Sequence, residues 1–266
     1  MRAAGRAGTG RGLVMLLAAT LLAGGALAQS RSTVRVRFVT EPFPPYTYAE
    51  AGRAAGPMAE VLRAVCRELR WDCPMEVLPW RRALAMAQRG EADGLFTVSD
   101  SPERRAEFHV SVPVTDARYT FFARAGDDFQ YRDRQQLQGR TLAAYGPSGT
   151  ALALQALAEG LAVDLQIEPD NRVLLRKLAA GRYGDKGLAL VNESVALHLM
   201  KEEGLQGLQS AGSVKSFAYA FGLSRKSVSA ARFKAFNQAL YELCRSGRSA
   251  ELIKPFAVPA SACRKP

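Results

Sequence analysis

The chain has 266 residues, a net charge of +11, and is 48% hydrophobic and 23% charged. That balance excludes a disordered or low-complexity polymer, and the length allows one large domain or two small ones, each with its own core. Past the N-terminal region no apolar stretch reaches the ~20 residues that a membrane-spanning helix needs.

A basic chain suggests nucleic acid, but part of the charge has another explanation. Arg2, Arg6 and Arg11 stand without an acid, the largely apolar run Leu13–Ala23 follows, and Ala26-Leu27-Ala28 precedes Gln29. These are the three regions of a secretory signal peptide (1–28), cleaved after Ala28. A membrane anchor needs a longer run. Gln29 offers no thiol for a lipid. The expectation is a soluble, monomeric, periplasmic protein with no nucleic-acid partner. Cys66, Cys73, Cys244 and Cys263 are an even set in an exported chain and read as disulfides. Three pairings are open, and the local one, Cys66 with Cys73 and Cys244 with Cys263, is favoured by proximity in sequence. Their spacing does not suit zinc, and no metal or organic cofactor is implied.

In chain order, Val34–Val39 alternates as a strand, and the prolines of Glu41–Tyr46 enforce an extended loop. Met58, Val61, Leu62, Val65 and Leu69 repeat at helical spacing behind Pro57. A strand at Met75–Leu78, a helix at Trp80–Arg89 stopped by Gly90, and a buried strand at Gly94–Val98 complete an α/β unit with a mostly parallel sheet. Ser111–Arg124 is rich in strand formers, and Gly126-Asp-Asp128 breaks it. A second unit follows: strand Thr141–Tyr145, turn Gly146-Pro-Ser-Gly-Thr150, helix Ala151–Glu159, strand Leu165–Ile167, helix Val173–Ala180, strand Leu188–Val191 and helix Ser194–Glu203. Phe217–Phe221 is a strand and Ala230–Arg245 a long amphipathic helix. The organisation expected is a first lobe over 33–124, to which 217–266 returns, and a second lobe over 125–216. Two strands, about 118–124 and 217–223, join them as a hinge over a cleft.

Several segments resemble motifs of the bacterial extracellular solute-binding proteins, family 3, which have the two-lobe type II periplasmic-binding-protein fold. They are Phe43-Pro-Pro-Tyr46, Gly56-Pro-Met-Ala-Glu60, Gly90-Glu-Ala-Asp93, Thr97-Val-Ser99-Asp-Ser101-Pro-Glu-Arg104, Val110-Ser-Val-Pro113 and Leu137-Gln-Gly-Arg-Thr141. The segment ending at Arg104 is the most specific; the others weigh through their order and spacing. The resemblance implies a small-molecule ligand, an amino acid or related polar solute, delivered to the membrane permease of an ABC transporter. It implies that Arg104 clamps a ligand carboxylate, which suits the paired donors of a guanidinium. It further implies that Thr97 and Ser99 contact the ligand head group and that Trp80, Phe43 and Tyr46 wall the cleft, with Arg81 beside them. Ser148, Gly149 and Thr150 would close from the second lobe, where a helix N-terminus makes an anion site. Pro147 lengthens that turn, so which of the three reaches the ligand is open.

One position departs from the pattern. Asn192 stands where amino-acid binders have an Asp that meets the ligand ammonium. Either Glu41 or Glu193 supplies the charge, or the ligand is not a standard α-amino acid; cationic residues around the cleft favour extra negative charge on it. The expectation is a binding protein and not an enzyme. There is no phosphate-binding glycine loop, Gly146-Pro-Ser-Gly-Thr150 is not a nucleophile elbow, and His109 and His198 share no motif. A dehydratase on this fold would need a general acid of raised pKa, for which Glu41, Glu60 and Glu193 are available. A periplasmic sensor module is the other alternative.

Overall fold

The computed structural model describes residues 33–265, and the expected signal peptide lies outside the described residues. The chain opens with a short strand, β1 (Phe38–Thr40), and the hairpin β2 (Tyr48–Glu50) and β3 (Arg53–Ala55). Helix α1 (Pro57–Leu69) begins with Pro57 in its first turn, where the missing N–H has no helical partner to lose. Gly56 before it has φ +99°, and a Cβ there would lie 2.6 Å from the Tyr46 carbonyl oxygen; only glycine fits. β4 (Met75–Val77), α2 (Trp80–Arg89) and β5 (Gly94–Ser99) follow. Then come α3 (Pro102–Glu107), β6 (Phe108–Val110) and the long strand β7 (Thr115–Arg124).

After a single 3-10 turn at Arg134–Leu137, a second α/β run begins. It comprises β8 (Thr141–Tyr145), α4 (Gly149–Ala158), β9 (Asp164–Glu168), α5 (Asn171–Ala179), β10 (Leu188–Asn192) and α6 (Glu193–Glu203). The chain returns through β11 (Leu208–Ser224) and closes with α7 (Ala230–Arg245) and α8 (Arg248–Ile253).

The main sheet has the order β4-β1-β5-β11-β7-β10-β8-β9, with β6 also on β11. It is mixed and not mostly parallel. β1 is parallel to β4 and β5, and β8 is parallel to β9 and β10. The middle is antiparallel, because β7 and β11 run side by side in opposite directions between the two parallel halves. β11 reaches 17 residues because it serves β7, β5 and β6 in succession.

Sequence periodicity does not mark the β2–β3 hairpin, α3 or α8, each too short to show a period. The strand expected at Val34–Val39 is regular only from Phe38, preceded by a lone bridge between Arg35 and Asp72.

Phe38, Phe96, Phe221 and Phe236 are fully buried under α1 and α7. Phe121, Leu137, Leu142 and Leu190 fill the second parallel half. The cysteines pair locally, Cys66 with Cys73 and Cys244 with Cys263. The first ties the end of α1 to the entry of β4, and the second ties α7 to the C-terminal tail. Closing loops this short adds roughly 2–3 kcal/mol each by chain entropy.

Candidate functional site

The parallel strands of both halves end toward one another, and the polar side chains of interest gather at those ends. Thr40 Oγ1 donates to the Phe96 carbonyl at 3.1 Å, tying the end of β1 to the middle of β5. Glu41 follows Thr40, and Thr97 follows Phe96 within β5.

Thr97 departs from its strand. In the pairing of β5 with β11, Phe96 faces Phe221 and Val98 faces Ala220, so Thr97 is the extra residue of a bulge. Its φ is +67°, a left-handed conformation that a β-branched residue rarely adopts. Thr97 is buried, and its hydroxyl oxygen has no hydrogen-bond partner. Strain and an orphaned polar group at one residue are features of binding sites. Ser99, at the strand's end, lies in register with Tyr219.

Ser101 caps α3 by accepting from the Arg104 N–H at 3.3 Å, which fixes the helix that carries Arg104. The Arg104 guanidinium lies 5.5 Å from the centre of the Trp80 ring and only 3.8 Å from Glu107. Burial lowers its pKa, offset by Glu107 and Glu103. Arg104 is thus half-buried, charged and loosely partnered. Arg105 beside it is exposed and paired with Asp100 at 2.6 Å. Arg81, at the start of α2, is exposed on the side facing Tyr145, whose hydroxyl feels its charge.

In the second half, Ser148 caps α4. Its hydroxyl accepts from the Ala151 N–H at 3.1 Å and donates to the Tyr145 carbonyl at 2.5 Å. A Cβ at Gly149 would stand 2.7 Å from the Tyr119 hydroxyl, and Thr150 is buried near the same tyrosine, whose pKa it lowers. The first N–H groups of α4 remain the open end of that helix.

Asn192 is 1% exposed and fully engaged. Its Oδ1 accepts from the Val195 N–H at 3.2 Å, capping α6, and from the Tyr46 hydroxyl at 3.4 Å. Its Nδ2 donates to the Tyr219 hydroxyl at 3.2 Å.

Tyr46 is completely buried, not an open wall. It stacks on Phe43 at 5.6 Å and meets Tyr219 edge-on at 4.9 Å. The reason is the neighbouring half: Asn192 offers its hydroxyl a partner, so the ring packs inward. Phe43, half-buried, keeps the outer position.

Tyr119 and Tyr219, on the two joining strands, complete an aromatic floor with Phe217, whose ring is 4.5 Å from Tyr119 and 5.2 Å from Tyr219. Burial pushes the Tyr119 hydroxyl up to about 12 and that of Tyr219 well above its ordinary value. Glu41 of the first half and Tyr145 of the second lie close enough for each to act on the other's titration. Burial raises the Glu41 carboxyl to about 8, and the Tyr145 hydrogen bond offsets part of that rise.

Two strands crossing between two α/β halves, with polar strand ends facing one another, form a hinged binding architecture. The model of one family, bacterial extracellular solute-binding proteins, family 3, matches residues 36–258. The chain belongs to this family. A histidine kinase sensor domain similar to periplasmic binding proteins superposes with a TM-score of 0.74 at 22% identity, covering 87% of this chain and 100% of that one. An ancestral arginine-binding protein bound to arginine gives 0.72 at 18% identity, covering 84% and 98%. The arginine-, lysine-, histidine-binding protein ArtJ from Geobacillus stearothermophilus gives 0.70 at 20% identity, covering 84% and 95%. No curated protein sequence matches. At these identities the likeness is one of fold: two lobes joined by two hinge strands.

In this family 3 protein, other sequence candidates sit in ordinary structural roles. His109 stacks on Phe233 at 4.9 Å, and burial, then Arg225, lowers its pKa. His198 lies 3.5 Å from Glu202 on α6. Glu60 pairs with Arg63, and Glu193 with Arg118. Asp93 accepts from the Arg37 N–H at 2.8 Å. No cluster of three metal-ligating side chains occurs among the described residues, and no helix there is long and apolar enough to cross a membrane.

Sequence reasoning missed Tyr145, Tyr119 and Tyr219. Tyr145 gave one signal, as the polar-tipped last residue of β8 before a glycine turn. The other two sit in runs that read simply as strand.

Proposed function

We propose that the mature protein captures a small polar solute bearing a carboxylate, of amino-acid type, between its lobes. It then presents the closed form to the permease of an ABC transporter in the periplasm. The lobe limits are 33–124 with 217–266, and 125–216. Arg104 holds the carboxylate, with Thr97 and Ser99 beside it. Trp80 and Phe43 pack the remainder, Arg81 lines the entrance, and the N–H groups of Gly149 and Thr150 close from the other lobe. Ser148 and Asn192 act by shaping helix ends. Closure is a shift of population toward the state in which ligand bridges both lobes.

One observation carries this reading: Thr97, seven residues before loosely held Arg104, sits in a strained bulge with a buried, partnerless hydroxyl. Strain together with an unsatisfied buried hydroxyl clusters at ligand sites, where a bound molecule supplies the missing partner. A sensor role has one specific support, the likeness to a histidine kinase sensor domain. It uses the same cleft and differs in the partner that reads closure.

The test is thermal shift of the mature protein with amino acids, polyamines and small carboxylates. A ligand at 100 times its Kd stabilises by about 2.7 kcal/mol, or roughly 5–10 °C for a chain of this size. A shift confined to carboxylate-bearing compounds supports the reading. A shift with polyamines alone, or with nothing, overturns it.

A further inference from the structure

A residue that no motif singles out lies at the cleft floor. Strands β10, β7 and β11 set Asn192, Tyr119 and Lys215 in one row: Asn192 is in register with Tyr119, and Tyr119 with Lys215. Cross-strand partners in register project from the same face of a sheet. That face is the floor, because the Tyr119 hydroxyl lies against Gly149 at the start of α4, and Asn192 bonds to Tyr46 and Tyr219. From Lys215 to Tyr219 the pairing of β11 with β7 runs without a shift, so Lys215, Phe217 and Tyr219 alternate onto this face. The Phe217 ring packs on both tyrosines, and Lys215 follows it at the exposed end of the line.

Lys215 also stands beside the helix that carries Arg104. β5 pairs with β11 as far as Ser99 against Tyr219. The chain then leaves the sheet through Asp100 and Ser101 and starts α3 at Pro102, alongside the stretch of β11 that precedes Tyr219. In keeping with this, the charges of Arg104 and Lys215 both reach Glu103 in the first turn of α3.

The neighbouring cations are spent: Arg118 pairs with Glu193, and Arg105 with Asp100. Lys215 forms no ion pair among the described residues, and Arg104 has only the 3.8 Å contact with Glu107. Two cations with charge to spare therefore flank the floor, one on the first lobe and one on the joining strand where the second lobe begins. Asn192, at the other end of the row, brings no charge, and its oxygen and amide are both engaged within the fold.

We propose that Lys215 determines specificity and that the captured solute carries two carboxylates, as an acidic amino acid does. Arg104 takes one carboxylate and Lys215 the other. This rests on the reading of the cleft as an amino-acid-type solute site. The two side chains suit the division. A guanidinium fixes one carboxylate with paired donors, whereas an ammonium on a flexible stem follows the second as the lobes close. An amide in place of the second carboxylate has nearly the same shape and leaves the Lys215 charge unanswered, so acid and amide are told apart by charge.

The experiment is calorimetric titration of the mature protein with two near-isosteric pairs, L-glutamate with L-glutamine and L-aspartate with L-asparagine, and with L-arginine. In the pair that binds more tightly, the acid should bind at least ~10-fold tighter than its amide. Lys215→Gln removes the charge at an exposed position and should melt as the wild type does. It should weaken binding of the acid about ten times more than binding of the amide. Lys215→Arg keeps the charge and should restore most of the preference.

Equal binding of acid and amide, or tightest binding of L-arginine, overturns the second carboxylate and leaves the solute-binding reading standing. A preference for the acid that survives Lys215→Gln unchanged overturns the role of Lys215. If none of the probes binds, the amino-acid reading fails and this inference fails with it.

Discussion

The two lobes furnish the cleft with groups in different states of commitment. On the first lobe, Thr97 has a hydroxyl without a partner, Arg104 rests on an aromatic ring with its acid 3.8 Å away, and Glu41 has no cation. On the second, Ser148 both accepts and donates within its own turn, Thr150 is buried near Tyr119, and Asn192 caps α6 while bridging to Tyr46 and Tyr219. The first lobe therefore holds interaction capacity in reserve for a ligand. The second has engaged its side chains in its own construction, leaving backbone N–H groups and the Tyr145 hydroxyl to face the cleft. On the proposed reading, discrimination among solutes would belong to the first lobe and the joining strand β11, and closure to the second lobe.

Replacing residues on either side sharpens or breaks this contrast. Arg104→Ala removes the charged partner of the ligand carboxylate and should weaken binding by about 2–5 kcal/mol, read by calorimetry against an unchanged melting temperature. An unchanged affinity would take Arg104 out of the site.

A next effect is seen in stability alone. The Glu41 carboxyl is raised from 4.5 to about 8 in the folded state, so the native chain binds that proton more tightly than the unfolded chain. The contribution is present in full below pH 4.5 and is lost as pH rises through about 8. Without ligand, the melting temperature of the wild type should therefore fall across this window relative to Glu41→Gln. Parallel curves would show that Glu41 is ordinarily ionised.

Smaller still, Ser148→Ala should cost about 1 kcal/mol of stability through the lost cap while leaving affinity nearly intact, as measured by urea unfolding and calorimetry. Thr97→Gly should do the opposite. It relieves a left-handed β-branched residue, so stability holds or rises by up to about 1 kcal/mol, while the lost hydroxyl weakens ligand binding by roughly 1 kcal/mol. If Ser148→Ala harms binding more than Thr97→Gly, the division between the lobes is wrong.

Much of the framework was legible in advance. The helices α1 and α2 show apolar residues at helical spacing between a proline start and, for α2, a glycine stop. The order of the two α/β units follows from the chain alone, whereas the local disulfide pairing was only favoured among three by proximity and is decided by the structure. The Arg104 segment could be singled out by motif, but its helix could not, since six residues carry no period. Asn192 was legible as a neutral residue in an unusual place, though not as a cap whose amide also bridges to two tyrosines. Tyr145 and Glu41 lie far apart in sequence, and only the fold brings them near enough to act on each other's titration.

The sequence by itself determined the secondary-structure alternation, the family and the residue types available for binding, because periodicity, turn chemistry and motifs are local properties of a chain. Only the tertiary structure decided which of those side chains remain free. A hydroxyl or carboxyl is engaged or open according to what the rest of the fold brings within hydrogen-bond reach. Its charge depends on how much water that packing removes.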